Sequence, residues 1–345
     1  MDILRLLAAF LVIYNHTAGY LYYRNHTNEM YKVTASILLS AFTKVNVPVF
    51  FMLSGALLLG KEESYRSLLN KRVGRFFLLL LCASVCAYCC LYREILSLEH
   101  FLYTFFSCEI VNPYWFLYAY LAFLLALPLL RKMARALSGP DIAFLLILRC
   151  IASTGVQAGQ YFAEYYQWNI LYVCESFALP FATTDILFYP LLGYYLEHHV
   201  SVEKFDKRKT GALLAILAAS LGVTTAITVH QGVYSGVFTE EYMPLTAYIT
   251  ASCLYLLVKA ACVKVSAQWR SRKLEKVLGN LAGLTLGIYL MDPILMTVFG
   301  IDFVALAGDS LYLIPLSLVY CCISMVLCGS ITWILKKIPG IRKLL

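Results

Sequence analysis

The chain has 345 residues, of which 61% are hydrophobic and only 14% charged, and its mean hydropathy is +0.73. A soluble domain carries about 25% charged residues, so this composition excludes an ordinary soluble fold and points to an all-α, polytopic membrane helix bundle. The net charge of +8 falls in short clusters between apolar runs, where topology signals belong, which excludes a nucleic-acid-binding surface.

In chain order, about ten transmembrane helices are predicted, at roughly 2–22, 37–59, 75–92, 114–130, 141–156, 185–197, 211–229, 244–263, 278–298 and 310–335. The first reads as a retained helix and not a cleaved leader, because Asn15 and His16 interrupt its apolar middle and no clean small-x-small site follows. The sixth is short and can extend backward through "CESFALPF". No linker, soluble segment or internal repeat interrupts the series, so residues 1–345 are expected to form a single membrane domain.

Orientation follows from lysine and arginine. Alternate loops carry Lys61, Arg66, Lys71, Arg72 and Arg75, then Arg131, Lys132 and Arg135, then Lys204, Lys207, Arg208 and Lys209, then Lys264, Arg270, Arg272, Lys273 and Lys276, and the tail holds Lys336, Lys337, Arg342 and Lys343. The opposite loops hold only Arg24, Lys32, Lys44 and Arg93. The positive-inside rule therefore predicts both termini in the cytoplasm of a multi-pass protein of the plasma or inner membrane. The opposite loops are acidic and aromatic, with "YFAEYYQW" at 161–168, a composition that suits the membrane interface and also sugar faces. The cysteines of "CASVCAYCC" have neither a second pair nor nearby histidines, so they are expected to be small buried hydrophobes, and no metal site is predicted.

Some polar groups interrupt the apolar runs. Arg5 and His16 lie eleven residues apart, close to three helical turns, so both are predicted on one side of the first helix, about 16 Å apart along its axis. That places Arg5 at the cytoplasmic rim and His16 near mid-membrane, where an ionisable group is a functional hypothesis by default. Asp2 stands three residues from Arg5 and can pair with it. Arg149, inside the fifth run, needs a partner, for which Asp185, Asp292, Glu164 and Glu175 are the candidate acids.

Several stretches then agree. "RLLAAFLVIYNH" at 5–16 resembles the Arg-x10-His motif that opens the acyltransferase-3 family of integral membrane acyltransferases. "NVPVFFMLSGALLL" at 46–59 is similar to its second-helix signature, a phenylalanine pair before Ser-Gly, and "KRVGRFF" at 71–77 looks like its Arg-x-x-Arg motif, on Arg72 and Arg75. "NPYWFLYAYL" at 112–121 and "LGIYLMDP" at 286–293 resemble its aromatic fourth-helix entry and its late helix. The chain departs from the family at Asp292, where many relatives carry histidine before proline.

The resemblance implies transfer of an acyl group, by default acetyl, from cytoplasmic acyl-coenzyme A to a hydroxyl or amine of an external acceptor, such as a cell-envelope glycan or glycolipid. On that reading Arg5, Arg72 and Arg75 hold the coenzyme A phosphates, since guanidinium forks match phosphate bidentately. His16 is the catalytic residue. It acts either as general base towards the acceptor, the favoured role, or as a nucleophile that carries the acyl group briefly. Asp185 and Asp292 are expected to bind acceptor hydroxyls, and Ser54 to orient His16 or donate to an oxyanion, or else to be a small residue for close helix packing. The alternative function is a polysaccharide or lipid-linked sugar transporter or flippase. Such proteins use inverted repeats or broken helices, and neither is evident in the sequence.

Overall fold

A backbone in lipid must satisfy its polar groups internally, which for these apolar runs means helices. The computed structural model describes residues 1–25, 29–168, 180–268, 272–297 and 312–345, and contains helices and no strand among them. The main helices are α1 (Asp2–Asn15), α2 (Met30–Thr43), α3 (Asn46–Leu58), α4 (Tyr65–Leu91), α5 (Leu98–Ser107), α6 (Trp115–Ala136) and α7 (Gly139–Tyr165). They continue with α8 (Asp185–His198), α9 (Lys207–Ser235), α10 (Ala247–Gln268), α11 (Arg272–Ala282), α12 (Thr285–Leu295) and α13 (Leu313–Leu335).

Among the described residues, seven helices are long and apolar enough to cross a membrane, with α2 and α3 forming one span, or eight if α11 and α12, bent by 46° at their junction, count as one. The predicted number of ten therefore exceeds what length and composition support. The difference lies in the first and sixth predicted spans, where α1 and α8 have 14 residues each. Such helices are about 21 Å long, short of the roughly 30 Å hydrocarbon core. The α11–α12 bend is a broken helix that hydropathy did not reveal. Arg270, Glu175 and most of "CESFALPF" lie outside the described residues.

Helix α1 is short but central. Leu4, Ala8, Ala9, Leu11, Val12, Ile13 and Tyr14 are all buried, so apolar contacts surround most of its circumference. Its first half belongs to one apolar cluster with Phe51, Phe123, Leu127 and Phe188, and its end to a second with Tyr20, Tyr23, Ile37 and Tyr320. At the other extreme, only 11% of the most apolar window of α7 is buried inside the protein, against 67% for the α2–α3 span. Helix α7 therefore lies at the periphery.

The Ser-Gly pair of the second signature is explained by packing. A Cβ on Gly55 would stand 1.9 Å from the Pro190 carbonyl oxygen, and one on Gly193 would stand 2.1 Å from that of Met52. Helices α3 and α8 thus cross with their backbones nearly touching, which only small residues permit. Between α9 and α10, hydroxyl pairs replace apolar contacts: Ser220 with Thr250 at 2.9 Å and Thr224 with Thr246 at 2.7 Å.

The cysteines correct the sequence reading. Cys82, Cys86, Cys89 and Cys90 are exposed on α4, whereas Cys253, Cys321 and Cys328 are buried. A helix of a membrane bundle is apolar on its outward face too, so hydropathy does not tell core from periphery.

Candidate active site

Helix starts and loops converge on a cavity of about 590 Å³, the cationic cavity, whose lining includes Arg5, Lys71, Arg72, Arg75, Glu63 and Ser54. Arg72 does not sit at the start of an α-helical third span, as the sequence suggested. It lies in a π-helical turn, Leu68–Val73, that interrupts α4, and Arg75 follows in the α-helical part. Such turns recur at functional sites because they re-aim side chains. The two guanidinium groups nevertheless line the same cavity.

Glu63 anchors the rim. Its carboxylate accepts from Arg72 Nε at 2.6 Å, from Arg131 Nη2 at 3.3 Å and from Ser67 Oγ at 3.0 Å. The Arg72 hydrogen bond holds the Glu63 carboxyl below its ordinary range, against desolvation, with help from Ser67 and Arg131. Arg131, itself buried, also donates to the Leu58 carbonyl at 3.1 Å, tying the end of α3 to α6. Arg5 pairs with Asp2 at 3.6 Å, and Arg75 donates through Nε and Nη2 to the Leu344 carbonyl at 3.2 Å each.

A second cavity of about 460 Å³, the histidine cavity, is lined by His16, Asn15, Lys44, Arg149, Asp185 and Glu240 among others. Helix α1 ends at Asn15, so His16 is its C-cap and not a mid-helix residue. Its Nδ1 stands 3.4 Å from Asp292 Oδ2. Asp292, only 1% exposed, also accepts from Ser324 Oγ at 2.7 Å and Tyr320 Oη at 3.5 Å. A carboxylate that accepts a hydroxyl on one oxygen is set to accept Nδ1–H on the other, which leaves Nε2 with its lone pair.

Arg149 finds the acid it needs in Asp185, at 3.0 Å, and also donates to the carbonyls of Ala182 at 2.8 Å and Thr183 at 3.1 Å. Its guanidinium lies over Phe188 and Tyr189, about 5 Å from both ring centroids. Glu240, in the loop before α10, accepts from Lys44 Nζ at 2.8 Å, Tyr20 Oη at 2.7 Å and Arg24 Nη2 at 2.8 Å. Burial pushes its carboxyl up, but Lys44, Tyr20 and Arg24 together outweigh burial and hold it below the ordinary range.

The predicted residues thus divide. Arg5, Arg72, Arg75 and Ser54 share the cationic cavity, while His16 and Asp185 share the other. Arg5 lines the cationic cavity and His16 the other, and Phe50, Phe116 and Tyr289 line both. Asp292 lines neither cavity, and its carboxylate lies against His16 Nδ1. Ser54 donates to the Phe50 carbonyl at 2.8 Å and lies across those rings from His16. Glu164 is exposed at the end of α7 and lines neither cavity.

Sequence reasoning missed Glu63, Asn15, Glu240 and the three rings. Asn15 gave a signal, a second polar residue beside His16 in the same apolar run. Its side-chain oxygen is shielded from solvent and has no hydrogen-bond partner among the described residues. Among those residues, no group of three or more His, Cys, Asp or Glu side chains is placed to hold a metal ion.

A family model described as an acyltransferase domain matches residues 1–333. No curated protein sequence and no solved structure matches the chain.

Proposed function

The chain belongs to the acyltransferase-3 family of integral membrane acyltransferases, and from that premise we propose that it transfers an acyl group, acetyl by default, from cytoplasmic acyl-coenzyme A to a hydroxyl or amine of an external acceptor. The acceptor class is a cell-envelope glycan or a lipid-linked sugar. The protein sits in the plasma or inner membrane with both termini and the cationic cavity on the cytoplasmic side.

One observation carries this reading: a cation-rich cavity adjoins, through the shared rings of Phe50, Phe116 and Tyr289, a cavity lined by His16, whose Nδ1 faces the Asp292 carboxylate. Coenzyme A is polyanionic at one end and bears its thioester at the end of a long arm. Arg5, Lys71, Arg72 and Arg75 suit the anionic end. The spacing of eleven positions from Arg5 to His16 corresponds to about 16 Å of helix, a span for the thin arm to bridge.

At the thioester, His16 Nε2 takes the proton from the acceptor hydroxyl as its oxygen attacks the acyl carbon. The carbon–sulfur bond then breaks, and the imidazolium returns the proton to the departing thiolate. Asp292 fixes the ring and stabilises the imidazolium, as an orienting carboxylate does in hydrolytic triads. The Asp185 carboxylate, which lines the histidine cavity, is an acceptor for hydroxyl groups of a neutral, polar substrate.

The test is mass spectrometry of envelope glycans and glycolipids from cells with and without the gene. Loss of a mass equal to one acyl group, and failure of His16→Ala to restore it while the protein still inserts, is the expected result. Unchanged acylation with a defect in export would instead support the transporter reading.

A further inference from the structure

Three aromatic side chains from three different helices line both cavities: Phe50 of α3, Phe116 of α6 and Tyr289 of α12. The Phe116 ring stands between the others, 5.8 Å from Phe50 and 5.7 Å from Tyr289, both contacts tilted or edge-on. All three are half-buried, whereas Phe51 and Phe123 behind them are fully buried. The three rings therefore pack against the core on one side and border the cavities on the other.

Their fixings differ. The Tyr289 hydroxyl donates to the Pro113 carbonyl, which latches the ring to the turn that opens α6. Phe116 is backed by Phe51 at 5.2 Å and Tyr120 at 6.0 Å, and like Phe50 it has no polar handle. A wall held at one edge by a hydrogen bond and elsewhere by ring contacts can part by rotation of side chains, on a fast timescale and without helix movement.

Resting on the acyl-transfer reading above, we propose that Phe50, Phe116 and Tyr289 form a partition that selects the acyl group by size. A thioester held through Arg5, Arg72 and Arg75 must bring its carbonyl past these rings to reach His16. A short acyl group passes between them, whereas each added methylene must displace ring surface. Phe50, Phe116 and Tyr289 are thus specificity-determining residues, and His16 remains the catalytic one.

The experiment uses the full chain in lipid nanodiscs with acetyl-, butyryl- and octanoyl-coenzyme A. Water serves as acceptor: His16 takes its proton, the oxygen attacks the acyl carbon, and the carboxylic acid and free thiol leave. Thiol release gives the rate, and calorimetric titration gives the affinity of each thioester. In the wild type, acetyl release exceeds octanoyl release by about tenfold or more, a discrimination typical of a fitted apolar passage, while the affinities stay within about threefold because the head group dominates binding. Phe116→Ala and Phe50→Ala raise the octanoyl-to-acetyl rate ratio by about tenfold. Phe116→Leu and Tyr289→Phe, milder changes that preserve folding, raise it by a smaller factor.

Equal rates for the three thioesters in the wild type, or an unchanged ratio in both mild variants, overturn the partition while leaving acyl transfer intact. Thiol release by His16→Ala equal to wild type, or no binding of any thioester, overturns the acyl-transfer reading itself and the partition with it.

Discussion

The two cavities differ most in how their charges balance. Four cations, Arg5, Lys71, Arg72 and Arg75, line the cationic cavity with one carboxylate, Glu63, and Asp2 beside Arg5 adds a second. In the histidine cavity the permanent charges pair off: Arg149 with Asp185 and Lys44 with Glu240. An unbalanced cavity is suited to an anion, and a balanced one with hydroxyl acceptors to a neutral polar molecule. The contrast is why donor and acceptor are assigned to opposite sides of the rings, and the following variants either break or sharpen it.

The largest effect is expected at the imidazole. His16→Ala should lower acyl transfer by about 10²- to 10⁴-fold, the range for removing a general base, with the amount of inserted protein unchanged by fluorescence-detected size exclusion. Asp292→Asn should lower kcat more than it raises KM, because it disturbs the ring's orientation and not the seat of the donor. Next come the cations. Arg72→Ala and Arg75→Ala should each raise KM for acyl-coenzyme A by about tenfold or more with a smaller change in kcat, since a charge-assisted contact is worth about 1.5–3 kcal/mol. If His16 variants changed KM alone and arginine variants kcat alone, the division of labour would be reversed.

Further down the scale, Gly55→Ala tests the frame that both cavities share. Its new methyl would meet the Pro190 backbone at 1.9 Å, so α3 and α8 must separate, at a cost of about 1–3 kcal/mol. A lower melting temperature in detergent is the expected readout.

The smallest effect is a pH dependence. The Glu63 carboxyl titrates below its ordinary value of 4.5 in the folded chain. The stability it contributes is therefore complete above that value and is lost as pH falls through the lower folded value. Glu63→Gln should lower the melting temperature slightly in the neutral region and leave it nearly unchanged below the folded value, so that the acid side of the profile flattens.

Much of this arrangement was legible in residue type and spacing. Arg5 and His16 are carried by one helix, because the ten mostly apolar residues between them have little choice but to be helical in lipid, although His16 caps that helix instead of standing at its middle. Arg149 was expected to find an acid, since an intramembrane cation cannot stay unpaired, and it found Asp185. The missing part was long-range. His16 and Asp292 are 276 residues apart, and no local pattern links them. The end of α1 was also hidden, because residues 17–21 remain apolar while the chain turns. The π turn beneath Arg72 has no compositional mark, as it differs from an α-helix only in hydrogen-bond register. The three rings read as ordinary core residues, and only the cavities on either side of them distinguish them from Phe51 and Phe123.

The most direct test is an experimental structure of the full chain in nanodiscs with a non-hydrolysable acetyl-coenzyme A analogue bound. The phosphates should lie against Arg5, Arg72 and Arg75, with the arm running between Phe50, Phe116 and Tyr289 and its acyl end beside His16. Phosphates found among Lys44, Arg149 and Glu240, or an arm that leaves the cationic cavity away from the rings, would contradict the assignment.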